Sequence, residues 1–468
     1  MRRKTVRPIR VYISTLGCPK NLVDSEAAAT ILCRSGCVVT EDPREADLML
    51  VGACSFLEAA WRDTVEELER LAGFKRPKRP GGAGSGKRLV LMGCLPKHRG
   101  EDLERELPFV DHFLPTGAQE RLPALIEAWG RSRHGPERFI DGNGADRFAG
   151  FEDRIRFTPA HSAYVKVAEG CNRKCAFCAI PTIRGRLENR PLSAVVAEMK
   201  RLAEKGVKEV TLLSQDIASY RDGPARLVDL VDAAAQTGVP WVRVFYLHPA
   251  GITVGHVRRL FSHPSVVRYL EMPVQHVSTR LLRLMRRSHD GAHVVRLLDG
   301  IRSEFPDAVI RSEVIVGFPG ETERDFKSLV RFVEEFQFES LGIFPYSREP
   351  GTAATALDGV VPEPVVRQRV EELAAAQEGV SFAVQSGRIG KVFDVLVDRV
   401  ADREEGGESG HRWVGRFYGQ APDADGEVYI EAERLPVGRF VRVRITDADL
   451  FDLRGEPAQS TGLLKEHA

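Results

Sequence analysis

A strand–helix unit recurs six times between about Ala160 and Phe382, and nothing else in the 468-residue chain narrows its fold as much. The strands read at Ala163–Val167, Glu209–Leu213, Val242–Leu247, Val267–Pro273, Val309–Val316 and Leu341–Tyr346. Between them apolar residues fall at helical spacing, as in Leu192, Val195, Val196, Met199 and Leu202, or Phe326, Leu329, Val330 and Val333. Six such units make a partial (βα)6 barrel of the TIM type, with its chemistry at the carboxyl ends of the strands. Polar residues cluster at those ends: Ser214-Gln215-Asp216, His248-Pro249, Gln275-His276, Gly317-Phe318-Pro319-Gly320-Glu321 and Tyr346-Ser347-Arg348. Taken singly, each also suits a turn or a helix cap.

The end of the first strand carries Cys171-Asn172-Arg173-Lys174-Cys175-Ala176-Phe177-Cys178, a CxxxCxxC run. A [4Fe-4S] cube takes four protein ligands when it is closed, so three thiolates from one loop leave one iron open to another molecule. A structural zinc needs a fourth ligand, and only His161 lies within twenty residues. Cysteines that merely fill a core do not fit a loop that also carries Asn172, Arg173 and Lys174.

From Arg10 to about Gly130 short apolar runs alternate with amphipathic helices, the pattern of a small parallel α/β domain. Three of its strands end alike: Val11–Gly17 runs into Cys18, Asp47–Ala53 into Cys54 and Arg88–Gly93 into Cys94. Carboxyl ends of parallel strands share one edge, where ligands bind, so these distant cysteines meet there and point to a second three-thiolate cluster. Cys33 and Cys37 lie on and just after an apolar helix, Ala27–Leu32, and read as packing residues. Lys75–Lys87 is rich in Gly, Pro and Lys and reads as an exposed loop. Within it Gly81–Lys87 fits GxxxxGK, but Arg88 stands where a P-loop needs Ser or Thr and a strand follows instead of preceding, so nucleotide binding is rejected. Arg131–Thr158 is polar and Gly-rich, an interdomain connection.

After a helix at Glu363–Val384, short alternating strands follow at Lys391–Asp398, Arg412–Tyr418, Gly426–Ile430 and Arg439–Ile445. About five such strands form a small antiparallel OB-like β-barrel, a class often used for nucleic acid. Its charge opposes that use: Ala383–Gly455 holds 11 Lys and Arg against 14 Asp and Glu, which repels phosphates and suits a basic protein. Arg439, Arg442 and Arg444 could still line one basic face of that barrel. Glu456–Ala468 reads as a tail. The whole chain has a net charge of +1, no apolar run near the eighteen residues of a membrane span, and no apolar leader, which points to a reducing, cytoplasmic setting.

The CxxxCxxC run resembles the signature of the radical S-adenosylmethionine (SAM) enzymes, and Arg10–Gly455 as a whole resembles their methylthiotransferase family. Thr15-Leu16-Gly17-Cys18-Pro19-Lys20-Asn21, Glu169-Gly170-Cys171-Asn172, Ile183-Arg184-Gly185-Arg186 and Ile315-Val316-Gly317-Phe318-Pro319-Gly320-Glu321-Thr322 carry the likeness. It implies an α/β multidomain chain: residues 8–130 an N-terminal methylthiotransferase domain, 131–157 a linker, 158–382 a radical SAM barrel, 383–455 an OB-like TRAM barrel and 456–468 a tail. It also implies two [4Fe-4S] clusters, one on Cys18, Cys54 and Cys94 and one on Cys171, Cys175 and Cys178. At the second, SAM is cleaved to a 5′-deoxyadenosyl radical that removes a substrate hydrogen, and at the first a sulfur is methylated for transfer. Phe177 stands where the family has an aromatic residue beside the adenine. With it, Ser214, Gln275, Gly317 and Glu321 are the candidate cofactor contacts. Radical abstraction needs no side-chain base, so no catalytic acid or base is assigned. A flavodoxin or ferredoxin type electron donor is implied.

Two branches of the family are relevant. One, MiaB-like, modifies isopentenyl-adenosine in tRNA; the other, RimO-like, modifies the β-carbon of an aspartate in small-subunit ribosomal protein S-twelve. Phe157–Tyr164 and Met272-Pro273-Val274-Gln275-His276 resemble the RimO-like branch. Ala421-Pro422-Asp423-Ala424-Asp425-Gly426 does too, with Ala424 replacing a usual isoleucine. The resemblance and the acidic TRAM barrel both point to a basic ribosomal protein as substrate, ahead of tRNA. A non-enzymatic iron–sulfur carrier has no use for a six-unit barrel with polar strand ends.

Overall fold

The computed structural model describes residues 7–54, 58–75, 86–100, 102–129, 138–402 and 413–458. The chain divides into two compact units: Met1–Phe157 with Ala168–Arg173 and Cys178–Arg190, and Thr158–Val167 with Lys174–Phe177 and Pro191–Ala468. The GxxxxGK run lies almost wholly outside the described residues, except that Lys87 donates its ammonium to the Pro43 carbonyl at 3.0 Å.

In the first unit, β1 (Arg10–Thr15), β2 (Val38–Val39), β3 (Leu48–Ala53), β4 (Arg88–Gly93) and β5 (His112–Pro115) form one sheet in the order β2-β1-β3-β4-β5, every pair parallel. Both faces are covered, which is why β3 is buried along its whole length. On one face Leu68 and Leu71 of α2 (Glu58–Ala72), Leu95 of α3 (Cys94–Arg99) and Leu103 of α4 (Asp102–Glu106) share a core with Met49, Val51, Leu89 and Leu91. On the other, Ala28 and Leu32 of the helix α1 (Pro19–Arg34) and Leu125 of α5 (Leu122–Trp129) pack on Leu48, Leu50, Val90 and Met92.

A second face of α1 is buried and polar, holding Asn21, Asp24, Ser25, Glu26 and Thr30. Part of it receives Arg154–Phe157, the end of the segment whose reading as a mere connection needs correcting. Buried Arg154 pairs with Glu26 at 2.9 Å, the Phe157 amide donates to Glu26 at 2.8 Å and the Ile155 amide to Thr30 at 2.8 Å. Polar composition reflects these partners, since buried polar groups must be paired.

The second unit holds the six-stranded parallel sheet. Numbered with the short strands between them, its members are β6 (Ser162–Lys166), β9 (Glu209–Leu213), β12 (Trp241–Val244), β13 (Val266–Glu271), β14 (Val309–Val316) and β15 (Ser340–Pro345). They lie in sequence order, as a partial barrel requires. The short pairs are β7 (Ala168–Glu169) with β8 (Glu188–Asn189), in the first unit, and β10 (Arg221–Asp222) with β11 (Ala225–Arg226). Short helix α6 (Ile180–Ile183) also belongs to the first unit. Helices α7 (Leu192–Glu204), α8 (Leu227–Ala235), α9 (Val254–Leu260), α10 (Thr279–Leu284), α11 (Gly291–Glu304) and α12 (Glu323–Phe336) follow the barrel strands, and α13 (Glu363–Ser386) closes the series. Helix α12 starts on a capping box, with Thr322 accepting from the Asp325 amide and Asp325 accepting from the Thr322 amide.

Strands β16 (Val392–Val400), β17 (Trp413–Phe417), β18 (Val428–Ile430), β19 (Phe440–Ala448) and β20 (Leu453–Pro457) form a closed barrel, antiparallel except where β18 meets β20. Glu456 and Pro457 therefore belong to the closing strand, and residues 459–468 lie outside the described set. Sequence alone marked Glu456 as tail because β20 carries little apolar alternation; its pairing with both β18 and β19 holds it.

The loop Tyr418–Gly426 docks on the barrel sheet. Polar and charged residues there alternate with apolar ones that pack in the core under the helices. Glu209 and Arg243, both fully buried, pair at 2.8 Å. Arg416 reaches the other Glu209 oxygen at 2.7 Å and binds Asp398, which also meets His161 at 2.8 Å. Arg243 donates to the Tyr418 and Gln420 carbonyls, Tyr164 hydrogen-bonds Asp423, and Tyr269 and Arg311 both reach Asp425.

Candidate functional site

Strands β1, β3 and β4 are neighbours in one parallel sheet, so their carboxyl ends deliver Cys18, Cys54 and Cys94 to one edge. Cys18 is the N-cap of α1, Cys54 follows β3 directly, and Cys94 opens α3. Gly17 has φ +90°, and a Cβ placed on it would stand 2.4 Å from the Cys54 Cβ. The two cysteine-bearing turns thus touch, and only glycine permits it. The hydrogen bond with Cys54, working against burial and aided by the charges of Lys20 and Arg184, holds the Cys18 thiol well below its ordinary range. Burial pushes Cys94 up to about 11, against the pull of Arg184.

Arg184 itself is nearly inaccessible. Its Nε–H donates to the Cys94 sulfur at 3.1 Å, Nη1 to both oxygens of Glu169 at 3.0 Å and to Asp24 at 3.2 Å, and Nη2 to Asn21 at 2.6 Å. Burial alone would weaken its charge, but Cys94, Glu169 and Asp24 carry its pKa well above the usual value. Among the described residues no three Cys, His, Asp or Glu side chains close on one point as a single tetrahedral ion demands.

Of the loop cysteines, Cys171 and Cys178 belong to the first unit and Cys175 to the second. Cys171 is buried, and its amide donates to the Gly185 carbonyl at 3.1 Å; its sulfur accepts from the Arg173 amide at 3.3 Å. Gly170, φ +76°, precedes it where any Cβ would lie 2.3 Å from the Arg186 carbonyl oxygen. In the second unit, the Ala176 amide donates to Met285 and its carbonyl accepts from Ala354, at 2.9 and 2.8 Å. Arg287 donates to the Cys175 sulfur at 3.7 Å and to the Pro273 carbonyl at 2.6 Å. Cys175 and Cys178 are half-buried.

Phe177 packs beside Leu281, Met285, Ile315 and Phe318. Ser214 follows β9 fully buried, and its hydroxyl has no partner among the described residues. Gln275 has φ +69° and bridges to β14, its amide donating to the Glu313 carbonyl at 2.8 Å and its carbonyl accepting from Ile315 at 2.9 Å. The Gly317 amide donates to Glu321 at 2.7 Å, and the same Glu321 oxygen takes Arg369 at 2.8 Å. The other oxygen of Glu321 faces His276 Nε2 at 3.4 Å, with both residues buried. Among the described residues, buried polar atoms without a hydrogen-bond partner therefore stand after the barrel strands: Ser214 Oγ and the Tyr346 hydroxyl, with His276 Nε2 and Glu321 Oε1 meeting only each other at 3.4 Å. Such atoms fit a polar cofactor there, as their burial is costly without one. Cys37 lies in the core and Cys33 near the C-terminal end of α1, which Cys18 caps at its other end.

Sequence reasoning quoted Asn21, Glu169 and Arg184 only as flanks of motifs, and did not single out Arg287. The available signal was Arg184 itself, a cation following an apolar turn that stays inside only with acids around it.

A partial (βα)6 barrel with a three-cysteine loop after its first strand defines a radical SAM enzyme. Residues 165–333 match the Radical SAM superfamily, 10–115 the uncharacterized protein family UPF0004 and 389–457 the TRAM domain. Among solved structures, a radical S-adenosylmethionine methyltransferase, TsrM, from Kitasatospora setae shares the fold, with TM-score 0.51 and 15% identity over 74% of this chain and 77% of that one. Curated relatives called ribosomal protein uS12 methylthiotransferase RimO are much nearer in sequence. The protein from Anaeromyxobacter sp. (strain K) is 40% identical over 95% of this chain and 92% of its own, and that from Geobacter sulfurreducens 40% identical over 96% and 98%. The chain belongs to this RimO family.

Proposed function

We propose that the protein adds a methylthio group to the β-carbon of an aspartate in ribosomal protein uS12, the small-subunit protein S-twelve. The observation that carries this reading is the pair of cysteine triads on a chain related over 95% of its length to a uS12 methylthiotransferase. Cys18, Cys54 and Cys94 hold one [4Fe-4S] cluster, and Cys171, Cys175 and Cys178 the other with SAM. When bound, these groups supply a hydrogen-abstracting radical and a methylated sulfur.

The residues of the chain position and shield. Arg184 and Asn21 fix the buried Cys94, and Arg287 steadies Cys175. Phe177 offers an apolar wall, while Ser214, Gln275 and the Gly317–Glu321 turn offer polar contacts to SAM. Glu321 does this indirectly, as one oxygen is already spent on Gly317 and Arg369. No side chain is asked to take the substrate proton.

The outer face of the TRAM barrel supports a protein substrate. Arg442 lies across from Asp394, and Arg444 across from Glu456, so the arginines do not form the continuous basic strip a polyanion needs. A cytoplasmic setting and a flavodoxin or ferredoxin type electron donor go with this reading. No described helix is long and apolar enough to cross a membrane. The test is expression in cells lacking their own enzyme, followed by intact-mass analysis of uS12 and nucleoside analysis of tRNA. A methylthio mass gain on uS12 is expected; modified tRNA adenosine with unchanged uS12 would overturn the reading.

A further inference from the structure

Arg184 makes more contacts than a structural ion pair requires. Its side chain is 1% exposed, as is that of Glu169, and Asp24 is 5% exposed, so two carboxylates already balance the guanidinium. Yet the Nε–H is directed at neither acid; it goes to the Cys94 sulfur at 3.1 Å. Asn21 is placed by the same group, accepting from Nη2 at 2.6 Å while its oxygen stands 3.8 Å from that sulfur. A flat, five-donor guanidinium can serve sulfur, amide and two carboxylates at once; a lysine ammonium cannot.

Hydrogen bonds to ligand sulfurs are one of the means by which a protein sets the potential of an iron–sulfur cluster. Reduction adds negative charge, and a buried cation donating directly to a thiolate stabilises the reduced form more than the oxidised one. We propose that Arg184 is a positioning residue that holds Cys94 as a ligand and raises the reduction potential of the N-terminal cluster through its Nε–H···S bond. This rests on the reading that Cys18, Cys54 and Cys94 hold that cluster. In the same contact, Arg184 ties Cys94 to Glu169 and so to the residues leading into Cys171.

The experiment uses the full chain with Cys171, Cys175 and Cys178 replaced by alanine, reconstituted anaerobically so that only the N-terminal cluster forms. Iron and sulfide content, and the midpoint potential from an EPR-monitored dithionite titration, are compared for Arg184, Arg184→Lys and Arg184→Met. All three should bind one cluster, with the potential lowest in Arg184→Met and partly restored in Arg184→Lys. Protein grown on guanidino-15N arginine should show a nitrogen hyperfine coupling on the reduced cluster that Arg184→Lys abolishes. A loaded Arg184→Met cluster at unchanged potential overturns the proposal. If Arg184→Met does not hold iron, absence of the nitrogen coupling in the Arg184 protein overturns it equally. No iron in the parent triple variant would instead sink the cluster reading, and this inference with it.

Discussion

The two cysteine triads reach similar ends by opposite routes. Cys171, Cys175 and Cys178 come from eight consecutive residues, so chain connectivity alone keeps them together. Cys18, Cys54 and Cys94 are brought together only by the β1-β3-β4 order of a parallel sheet. The loop triad is tied down mainly by backbone hydrogen bonds, at Cys171 to Gly185 and at Ala176 to Met285 and Ala354. The sheet-edge triad depends on side chains, with Gly17 making room for Cys54 and Arg184 gripping Cys94. A local motif tolerates a loosened scaffold; a triad assembled by topology does not.

The sharpest way to break this contrast is to remove each triad in turn. A Cys171, Cys175, Cys178 triple alanine variant should lose 5′-deoxyadenosine formation completely. The Cys18, Cys54, Cys94 counterpart should keep one cluster and still cleave SAM, while losing methylthio transfer. Equal loss of SAM cleavage in both would end the division of labour. Next come the glycines that precede a cysteine in each triad. Gly17→Ala should roughly halve iron content and spare SAM cleavage, whereas Gly170→Ala, facing the Arg186 carbonyl, should abolish that cleavage; both clash distances are below contact and both φ values are positive.

A third prediction separates the triads from the barrel's underside. Glu209→Gln leaves Arg243 and Arg416 short of a buried countercharge, and should destabilise the second unit by about 3–5 kcal/mol in urea unfolding. Iron bound at the N-terminal triad should change little. Acid should act on the same network. Burial pushes Asp398 and Glu209 upward, but His161 and Arg416 for the first, and Arg416 and Arg243 for the second, carry both below the ordinary carboxylate range. A depressed carboxylate contributes stability above its unfolded value of about 4, and that contribution drains away as pH falls below it. Glu209→Gln should therefore flatten the loss of stability below about pH 4, read by fluorescence of Trp241, which packs on Phe440. The smallest effect is reserved for Arg287. Its 3.7 Å contact with Cys175 is longer than that of Arg184 with Cys94, so Arg287→Gln should lower the loop cluster's potential less than Arg184→Met lowers the other. A larger shift at Arg287 would reverse the contrast.

What could be read in the sequence follows the same division. The loop triad and the repeated strand–helix units are local patterns, and β9 and β14 fall where periodicity puts them. The sheet-edge triad was legible by one further inference, because three strands end alike and parallel strands share an edge. Arg184, Asn21 and Glu169 escaped, since Arg184 joins Glu169 to Cys94, 90 residues away, and to Asn21 and Asp24, about 160 residues away, contacts that no period records. Arg138–Phe157 looked like linker because polar residues read alike in solvent and in a buried ion pair; Glu26, 128 residues away from Arg154, decides the matter. Strand β20 escaped because a short closing strand is defined by its neighbours more than by its own alternation.

The docking of Tyr418–Gly426 on the barrel bears on how such chains can be recombined. The TRAM barrel is not a bead on a tether: Asp423, Asp425 and the carbonyls of Tyr418 and Gln420 are matched to Tyr164, Tyr269, Arg311 and Arg243. A TRAM barrel transplanted from a distant relative would bring its own loop to arginines it was not shaped for, leaving Arg243 without the Tyr418 and Gln420 carbonyls and Arg311 without Asp425. Swapping this module is therefore expected to cost stability unless Tyr164, Arg243, Tyr269 and Arg311 beneath it are changed to match, so the loop and the sheet under it work as one surface.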